Sequence, residues 1–352
     1  MRNHLIVFMK QSNDQKINVA VLCGGVSNER EISLLSGINV AQSLSRDKFR
    51  VSIIEINPQG KWFFARYGKA AKKLIRSESI DAGDKNSYQN KLQKFNVFFV
   101  ALHGKMGEDG SIQKFLRSLK IPYTGSNAEV NAITFNKYQT NTLLAQKSVS
   151  IPHSICIDTT KQRLTEQLKS IQKDVCLPCI VKPNQSGSSI GITIVQKESD
   201  LPQAIEKAGR EDKDVLIEAY IEGRELTCAV LGNHSDQCTA LPPIEIIPHS
   251  EFFDYRAKYE SKLTEEICPA PLSVTTTQKV TETAIKIHKL LGCDGLTRSD
   301  FILTKNNELC FLEVNTIPGL TKMSLCPKAA KAFGISFERF LELQINLALN
   351  RQ

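Results

Sequence analysis

The stretch RSDFILTKNNELCFLEVNT, residues 298–316, predicts a β-hairpin and thereby determines which side chains face one another. Two apolar runs flank Asn306 and Asn307, and Asn is one of the few residues that accept the positive φ angles of a tight two-residue turn. The predicted pairs are Lys305 with Glu308, Thr304 with Leu309, Asp300 with Glu313, and Arg298 with Asn315. Directly opposed carboxylates destabilise a sheet, so the pairing of Asp300 with Glu313 requires an explanation.

One face of this hairpin would bring together an Arg, an Asp, a Glu and an Asn, because side chains alternate along a strand. A divalent cation would relieve the repulsion between Asp300 and Glu313. Two carboxylates and the Asn315 amide offer the hard oxygen ligands that suit magnesium, which keeps its other positions for water and phosphate oxygens. The alternative is a structural network in which Arg298 neutralises one acid at the end of a sheet. The hairpin alone leaves both interpretations open.

Composition excludes several classes of protein. The 352 residues are 41% hydrophobic and 23% charged, as in soluble globular proteins of two or three domains. No apolar run approaches the roughly 20 residues of a membrane span, and residues 1–16 are expected to form a flexible leader. The ten cysteines lie in apolar surroundings, which favours reduced buried thiols. The net charge of +8 is scattered along the chain, which indicates a basic surface suited to anionic substrates rather than a nucleic-acid site.

Strand-like runs alternate with helical patterns from residue 17 onward, which predicts an α/β fold made of three linked units. INVAVLCGG followed by SNEREISLLSGINVAQSL is typical of a strand, a glycine turn and a helix. Residues 66–94 are polar and rich in lysine, which indicates a surface excursion. A boundary between two units is expected near Lys137.

The stretch VKPNQSGSSIGI, residues 181–192, contains the groups of an anion-binding loop. Gly187, Ser188 and Ser189 offer backbone N–H groups and hydroxyls, and Lys182 on the preceding strand adds a positive charge. The order of residues is not that of a Walker A loop, because the lysine precedes the glycines. A flexible turn is the alternative, and the acidic hairpin favours the phosphate interpretation.

Other polar residues lie at strand ends and glycine turns. Glu29 would lie at a helix N-terminus, where it could hold an ammonium group or simply favour the helix dipole beside a capping Ser27. Glu218 ends an apolar strand and could accept from ribose hydroxyls, although an exposed acid in a turn is the commoner case. His103 borders a glycine-rich loop where polar groups could meet a ligand. Residues 254–259, DYRAKY, lie in a long loop of the kind that forms lids.

In this order, these pieces resemble the D-alanine–D-alanine ligases of the ATP-grasp superfamily, from about residue 17 to the C-terminus. The stretches that carry the resemblance are GGVSNEREISLLSG, ALHGKMGEDG, YTGS, VKPNQSGSSIG, EGRELT, FFDYRAKY, CPAPL, GLTRSDF and LEVNTIPGLTKMSL. The resemblance implies three α/β or α+β domains with the active site between the central and C-terminal ones. The implied domains are a Rossmann-like substrate domain over 17–136, a central ATP-grasp subdomain over 137–224 and a catalytic ATP-grasp domain over 225–352.

The resemblance also implies a reaction. ATP phosphorylates the carboxylate of one D-alanine, and the amine of a second D-alanine attacks the acylphosphate to give the dipeptide used in peptidoglycan synthesis. Activation is needed because a carboxylate is a poor electrophile. Proximity of the reactants and neutralisation of charge supply most of the remaining rate acceleration. Two Mg²⁺ ions (Mn²⁺ is possible), a cytoplasmic location and a homodimer are implied, with no nucleic-acid or membrane partner.

Residue roles follow from the same resemblance. The implied metal ligands are Asp300, Glu313 and Asn315. The implied catalytic residues are Glu29, Ser188, Tyr259, Arg298 and Gly319. The implied D-alanine contacts are Glu29, His103, Arg298, Ser324 and Leu325. The implied ATP contacts are Lys137, Lys182, Ser186, Gly187, Ser188, Ser189, Glu218, Ile221, Glu225 and Lys258.

Three positions depart from the family pattern. Asn136 stands where an acid is common, Asn141 where a second lysine is common, and Ser150 where a glycine usually precedes Ile-Pro. These changes bear on the hinge and on nucleotide affinity more than on the chemistry. Tyr259 favours the ordinary dipeptide, because members that make D-alanyl-D-lactate differ in this loop. The alternatives are a ligase that joins D-alanine to D-serine or D-lactate, and a nucleotide-binding regulator that has lost catalysis.

Overall fold

A computed structural model describes residues 15–68, 73–80, 85–160, 176–187, 190–248 and 264–351, with the backbone only for 85–88. Most of the expected leader and the predicted lid over 254–259 lie outside these residues. Among the described residues, every helix is too short or too polar to cross a membrane. The elements form three sheets, which follow one another along the chain in the order expected for three units.

The first sheet has five strands in the order β4-β3-β2-β1-β5. Its strands are β1 (Ile17–Gly24), β2 (Phe49–Ile56), β3 (Trp62–Gly68), β4 (Lys73–Ser79) and β5 (Val97–Val100). The helices of this part are α1 (Arg30–Ser43), α2 (Lys85–Gln93), α3 (Ser111–Ser118) and α4 (Ala128–Phe135). β1 pairs in parallel with β2 and β5, and its apolar run is buried because parallel sheets are covered on both faces. The predicted excursion over 66–94 is therefore largely regular: it contains the end of β3, the edge strand β4 and α2.

The second sheet is antiparallel, with the order β6-β9-β7-β8. Its strands are β6 (Ser154–Asp158), β7 (Cys179–Pro183), β8 (Thr193–Val195) and β9 (Asp214–Ala219). The helix α5 (Lys137–Ala145) precedes this sheet, and α6 (Leu201–Gly209) packs on it after a 3₁₀ turn over Glu198–Asp200. Lys182 and Glu218, two of the expected ATP contacts, thus lie on the neighbouring strands β7 and β9.

The third sheet is also antiparallel, with the order β13-β12-β10-β14-β15 and β11 paired with β10. Its strands are β10 (Arg224–Leu231), β11 (Thr239–Ala240), β12 (Ile244–Pro248), β13 (Thr264–Ile267), β14 (Leu296–Leu303) and β15 (Leu309–Asn315). Its helices are α7 (Val274–Leu290), α8 (Leu325–Phe333) and α9 (Phe337–Leu349). Three strands of this sheet, β10, β11 and β12, precede the stretch 254–259 in the chain.

The C-terminal helices join the first sheet to the third. One hydrophobic cluster contains Val21 and Phe99 of the first sheet together with Phe340 and Leu341 of α9. All four side chains are nearly or fully inaccessible to solvent. This shared core holds the loop after β1 against the segment that follows β15, and several of the expected site residues lie at that junction.

The hairpin of β14 and β15 confirms the pairs Asp300–Glu313 and Arg298–Asn315. Its turn differs from the prediction, because Leu303 pairs with Leu309 and the connection spans residues 304–308. One asparagine of the turn has the expected positive φ angle, 58° at residue 307. A two-residue turn would have paired Thr304 with Leu309, so the predicted pairs near the turn are wrong.

A β-bulge restores the predicted register farther along the hairpin. Phe301 lies opposite Phe311, but the next pair is Asp300 with Glu313, which leaves Leu312 as an extra residue on β15. The longer turn shifts the register by one residue and the bulge shifts it back. The opposed acids were therefore predicted correctly from a count that contained two compensating errors.

The helix α1 packs so closely on β1 that Gly37 has no room for a methyl group. A Cβ added at Gly37 would lie 2.4 Å from the Cβ of Cys23. We expect Gly37→Ala to lower the free energy of unfolding by about 1–3 kcal/mol through overpacking, although Ala ordinarily stabilises a helix interior. Urea unfolding would measure this, with Leu35→Ala at an exposed position of the same helix as the control. A stabilised Gly37→Ala variant would contradict the packing argument.

Candidate active site

Asp300 accepts four hydrogen bonds from three side chains. Arg298 donates to it through Nε at 2.9 Å and Nη2 at 2.8 Å, Thr227 through Oγ1 at 2.6 Å, and Asn315 through Nδ2 at 3.4 Å. Burial opposes the charge of Arg298, but the Asp300 carboxylate outweighs this and raises the pKa of the guanidinium above its ordinary value. The neutralising network considered as an alternative to a metal is therefore present at one of the two acids.

Glu313, the other acid, faces a different cation. Its Oε2 lies 3.3 Å from Nζ of Lys137, the first residue of α5. The same Nζ donates to the backbone oxygen of Ser186 at 2.5 Å, so one lysine connects the acidic hairpin to the predicted phosphate loop. Three stretches that are far apart in the sequence thus meet at Lys137.

Two cavities adjoin at this hairpin and share Glu108, Glu313 and Asn315 as a common wall. Other residues that line the first cavity are Thr134, Lys137, Ser186 and Gly187. Other residues that line the second cavity are Glu29, Ile32, His103, Arg298, Ile317, Pro318 and Gly319. Three expected ATP contacts therefore line one space and three expected D-alanine contacts line its neighbour: Lys137, Ser186 and Gly187 in the first, and Glu29, His103 and Arg298 in the second.

Glu29 precedes α1 and is buried between two glycines. A Cβ added at Gly187 would lie 2.3 Å from Oε2 of Glu29, and one added at Gly104 would lie 2.8 Å from the same oxygen. Only glycine allows both loops to approach the carboxylate this closely. Among the described residues no side chain caps α1. The hydroxyl of Ser27 instead donates to the backbone oxygen of His103 at 2.6 Å and accepts from the backbone N–H of Glu29 at 3.3 Å, so Ser27 orders the turn before the helix.

His103 is buried beside the same cavity. Its Nε2 lies 3.2 Å from Oγ of Ser36, and the ring also bonds to the backbone of Ile317. Burial lowers the pKa of His103 although the nearby negative charge of Glu29 opposes this, which favours the neutral imidazole. The Ser36 hydroxyl in turn accepts from the backbone N–H of Leu320 at 3.2 Å, which ties α1 to the segment after β15.

Two of the expected D-alanine contacts, Ser324 and Leu325, lie beside Gly319 after β15. A Cβ at Gly319 would lie 2.9 Å from Oγ of Ser324, so these residues are in close contact. The Ser324 hydroxyl accepts from the backbone N–H of Thr321 at 3.0 Å, and Leu325 begins α8. Gly319 lines the second cavity with Arg298.

Lys182 and Glu218 form a buried ion pair. Nζ of Lys182 lies 2.6 Å from Oε2 of Glu218, and Nδ2 of Asn141 donates to Oε1 at 3.3 Å. Glu218 is only 1% exposed, so its interpretation as an exposed acid in a turn is wrong. Ile221 lies between β9 and β10, and Glu225 is the second residue of β10.

Four of the expected site residues lie outside the described residues. They are Ser188, Ser189, Lys258 and Tyr259.

Glu108 is a site residue that the sequence did not single out. It is 9% exposed, lines both cavities, and its Oε2 accepts from the backbone N–H of Gly104 at 2.8 Å. Burial, followed by the negative charge of Glu29, raises the pKa of Glu108 to about 8. A carboxylate in a glycine-rich loop directly after a buried strand was the available signal, but the sequence does not show that the loop turns inward.

The raised pKa of Glu108 predicts a pH-dependent stability. The pKa of this carboxyl is 4.5 in the unfolded chain and about 8 in the folded chain, so between these pH values the folded state holds the proton more tightly. The free energy of unfolding therefore falls as the pH increases through this interval. We expect Glu108→Gln, which cannot ionise, to become progressively more stable than the unsubstituted chain between about pH 5 and pH 8. Urea unfolding in EDTA at several pH values measures this, with exposed Glu31→Gln as the control. A constant difference over this range would contradict the assignment.

Sequence profiles of one family match most of the chain. The profile described as D-ala D-ala ligase N-terminus matches residues 18–126, and that described as D-ala D-ala ligase C-terminus matches residues 144–346. The D-alanine–D-alanine ligase of Syntrophobacter fumaroxidans is 41% identical, covering 95% of this chain and 98% of its own length. That of Carboxydothermus hydrogenoformans is 37% identical, with the same coverage of 95% and 98%.

Solved structures show the same relationship. The VanG D-Ala:D-Ser ligase from Enterococcus faecalis superposes with a TM-score of 0.81 at 32% identity, covering 95% of this chain and 100% of that one. The D-alanine–D-alanine ligase from Coxiella burnetii gives a TM-score of 0.77 at 28% identity, covering 96% and 94%. Together with the three sheets and the paired cavities, these matches establish the ATP-grasp fold. The chain therefore belongs to the D-alanine–D-alanine ligase family, whose reaction is the ATP-dependent formation of D-alanyl-D-alanine for peptidoglycan synthesis.

Proposed function

We propose that the two adjoining cavities divide this reaction between them. The cavity at Glu29 and Arg298 receives the amino acids, and the cavity at Lys137 receives the phosphates of ATP. The observation that carries the proposal is the wall they share, which includes Glu313. A phosphoryl group can pass to a carboxylate only where the two reactants meet, and this wall is where the two spaces adjoin.

Glu29 would bind the ammonium group of the first D-alanine. It is a buried carboxylate at the edge of the second cavity, with His103 neutral beside it. A neutral imidazole adds no positive charge that would compete with the ammonium group. With its ammonium group at Glu29, the substrate can extend its carboxylate along the cavity toward Arg298 and the shared wall.

Arg298 and Gly319 would stabilise the oxyanion that forms during amide synthesis. Arg298 lines the cavity, and its two hydrogen bonds to Asp300 fix the orientation of the guanidinium plane. A preorganised cation costs no reorganisation when negative charge develops on the substrate. The second D-alanine would be held by Ser324, which contacts Gly319, and by Leu325, the next residue in the chain.

The metal site would be formed by Asp300, Glu313 and Asn315. Their donor atoms are carboxylate and amide oxygens, which are the ligands that suit a pair of Mg²⁺ or Mn²⁺ ions. Among the described residues, no group of three or more His, Cys, Asp or Glu side chains could hold a metal ion. The proposed set differs from such a group, since it consists of two carboxylates and the amide of Asn315. When bound, such ions neutralise the negative charge of phosphate oxygens. Lys137, already 3.3 Å from Glu313, would share that task.

The ATP site would extend from the shared wall into the second sheet. Lys137, Ser186 and Gly187 line the first cavity and would contact the phosphates, together with Ser188, Ser189 and Lys258. Lys182, on β7, would also contact the phosphates. Glu218, Ile221 and Glu225 would lie at the nucleoside end. Ser188 and Tyr259 would close the site over Glu29, whose carboxylate already contacts the glycine loop.

In the first step, an oxygen of the D-alanine carboxylate attacks the γ-phosphorus of ATP and ADP leaves. In the second step, the amine of the other D-alanine attacks the carbonyl carbon, an amide bond forms, and phosphate leaves with the former carboxylate oxygen. The amine loses a proton in that step. The residues of this chain bind and orient the two reactants and neutralise charge at the carbonyl oxygen.

The cytoplasm is the proposed location. ATP is available there, and all ten cysteines are free thiols, as a reducing compartment requires. The proposal of a homodimer is supported only by membership of the family.

D-Serine as the second amino acid is the competing function, because a D-Ala:D-Ser ligase is a close structural neighbour. We expect phosphate release from ATP to require D-alanine, and D-alanyl-D-alanine to remain the main product when D-serine or D-lactate is added in equal amount. Product analysis by mass spectrometry would decide. A predominant mixed product would assign the chain to a different ligase, and release of phosphate without any dependence on D-alanine would refute the proposed reaction.

Glu313→Gln tests the metal site. The substitution keeps the shape of the side chain but removes a hard anionic ligand, so we expect turnover to fall by at least about 100-fold, with an unchanged fold. Phosphate release at several Mg²⁺ concentrations and circular dichroism measure the two effects. Glu308→Gln, an exposed acid in the turn of the same hairpin, is the matched control and should retain full activity. Normal turnover by Glu313→Gln would remove the metal assignment.

A further inference from the structure

Asp300 has a cross-strand neighbour on each side. It pairs with Thr227 of β10 and with Glu313 of β15, so the three side chains form one row on the same face of the third sheet. Thr227 is 1% exposed and lines neither of the two cavities described above, whereas Glu313 lines both. The row therefore runs from the dry interior of the protein to the wall of the proposed site.

The Asp300 carboxylate can accept about four contacts, two on each oxygen. Oδ1 accepts from Oγ1 of Thr227 at 2.6 Å and from Nε of Arg298 at 2.9 Å, which fills it. Oδ2 accepts from Nη2 of Arg298 at 2.8 Å, and its other contact, with Nδ2 of Asn315, is long at 3.4 Å. Among the contacts that the described residues make with this carboxylate, the one from Asn315 is therefore the most easily displaced.

The weakly held position on Oδ2 faces the proposed site, because Asn315 lines both cavities. On the other oxygen, the Thr227 hydroxyl restricts rotation of the carboxylate about its Cβ–Cγ bond, since such a rotation would break a hydrogen bond to a charged acceptor. Arg298 also lines the second cavity, where its proposed task is at the substrate. Thr227 is thus the anchor of Asp300 that lies away from the reactants.

We propose that Thr227 is a positioning residue for metal binding, whose hydroxyl orients Asp300 so that Oδ2 is available to the ions. This role depends on the proposed function, in which Asp300, Glu313 and Asn315 hold those ions. Thr227 would act through Asp300, without contact to metal, nucleotide or amino acid. Removal of a group that orients a metal ligand in this way typically lowers metal affinity or activity by about 10- to 100-fold.

Thr227→Val and Thr227→Ala both remove the hydroxyl, and the first nearly keeps the shape of the side chain. We expect the affinity of each variant for Mn²⁺ to fall by about 10-fold or more. Titration with Mn²⁺, with and without ADP, measures this through the relaxation rate of water protons, which increases when the ion binds to protein. Thr227→Ser keeps the hydroxyl and should remain within about threefold of the native affinity.

Phosphate release at increasing Mg²⁺ concentrations distinguishes positioning from a direct catalytic role. The valine variant should need about 10-fold more Mg²⁺ for half of its maximal rate. At saturating Mg²⁺ its kcat should return to within about threefold of the native value, and its KM for D-alanine should not change. A loss of activity that came only from poor folding would not be relieved by Mg²⁺.

Thr297→Val is the matched control. It removes another fully buried hydroxyl of the same sheet, but Oγ1 of Thr297 lies 2.7 Å from Nδ1 of His288 on α7 and not beside the acids. The metal dependence of this variant should equal that of the native chain. Urea unfolding in EDTA shows whether each variant is folded, and the alanine variant provides the test if the valine variant is not.

An unchanged affinity for Mn²⁺ in both variants without the hydroxyl would overturn the role of Thr227 while leaving the ligase reaction intact. A loss of kcat that persists at saturating Mg²⁺, or an equal loss of affinity in Thr227→Ser, would also overturn it. If the native chain binds no Mn²⁺ with or without ADP, the metal site and the role of Thr227 are both refuted. Absence of D-alanine-dependent phosphate release from the native chain would instead refute the proposed function.

Discussion

The opposed carboxylates Asp300 and Glu313 are the constraint on which the rest of the site depends. Hydrogen bonding between β14 and β15 brings them together on one face, and each has a different cation beside it, Arg298 or Lys137. Arg298 also lines the proposed amino-acid cavity, and Lys137 also donates to Ser186 of the proposed phosphate loop. The two cations that compensate the two acids therefore also lie in the two cavities proposed for the reactants.

The hairpin alone does not create a site, because its partners come from other sheets. A hydrophobic core shared by the first sheet and the C-terminal helices holds α1 against the segment after β15. The backbone N–H of Leu320 donates to Ser36, and Ser36 is also hydrogen-bonded to His103. These bonds fix the position of α1 relative to that segment. Glu29 is thereby held at the edge of the cavity that Arg298 lines.

Sequence reasoning predicted the α/β class and a hairpin with an acid on each strand, because strand alternation is a local rule. The details that depend on tertiary packing were beyond it. The bulge at Leu312, the burial of Glu218 and the hydrogen bond of Asn141 to Glu218 depend on which elements cover them. The domain boundaries and the individual residue roles remain predictions.

The sequence by itself determined the family, since motifs spread over nearly the whole chain keep their order, and it determined that one hairpin carries an acid on each strand. Only the tertiary structure decided what stands around them. Glu108 entered the common wall because the loop after β5 folds inward, and Asn141 met Glu218 because α5 packs beside the second sheet. Such contacts join residues far apart in the chain, and no local pattern encodes the packing that brings them together.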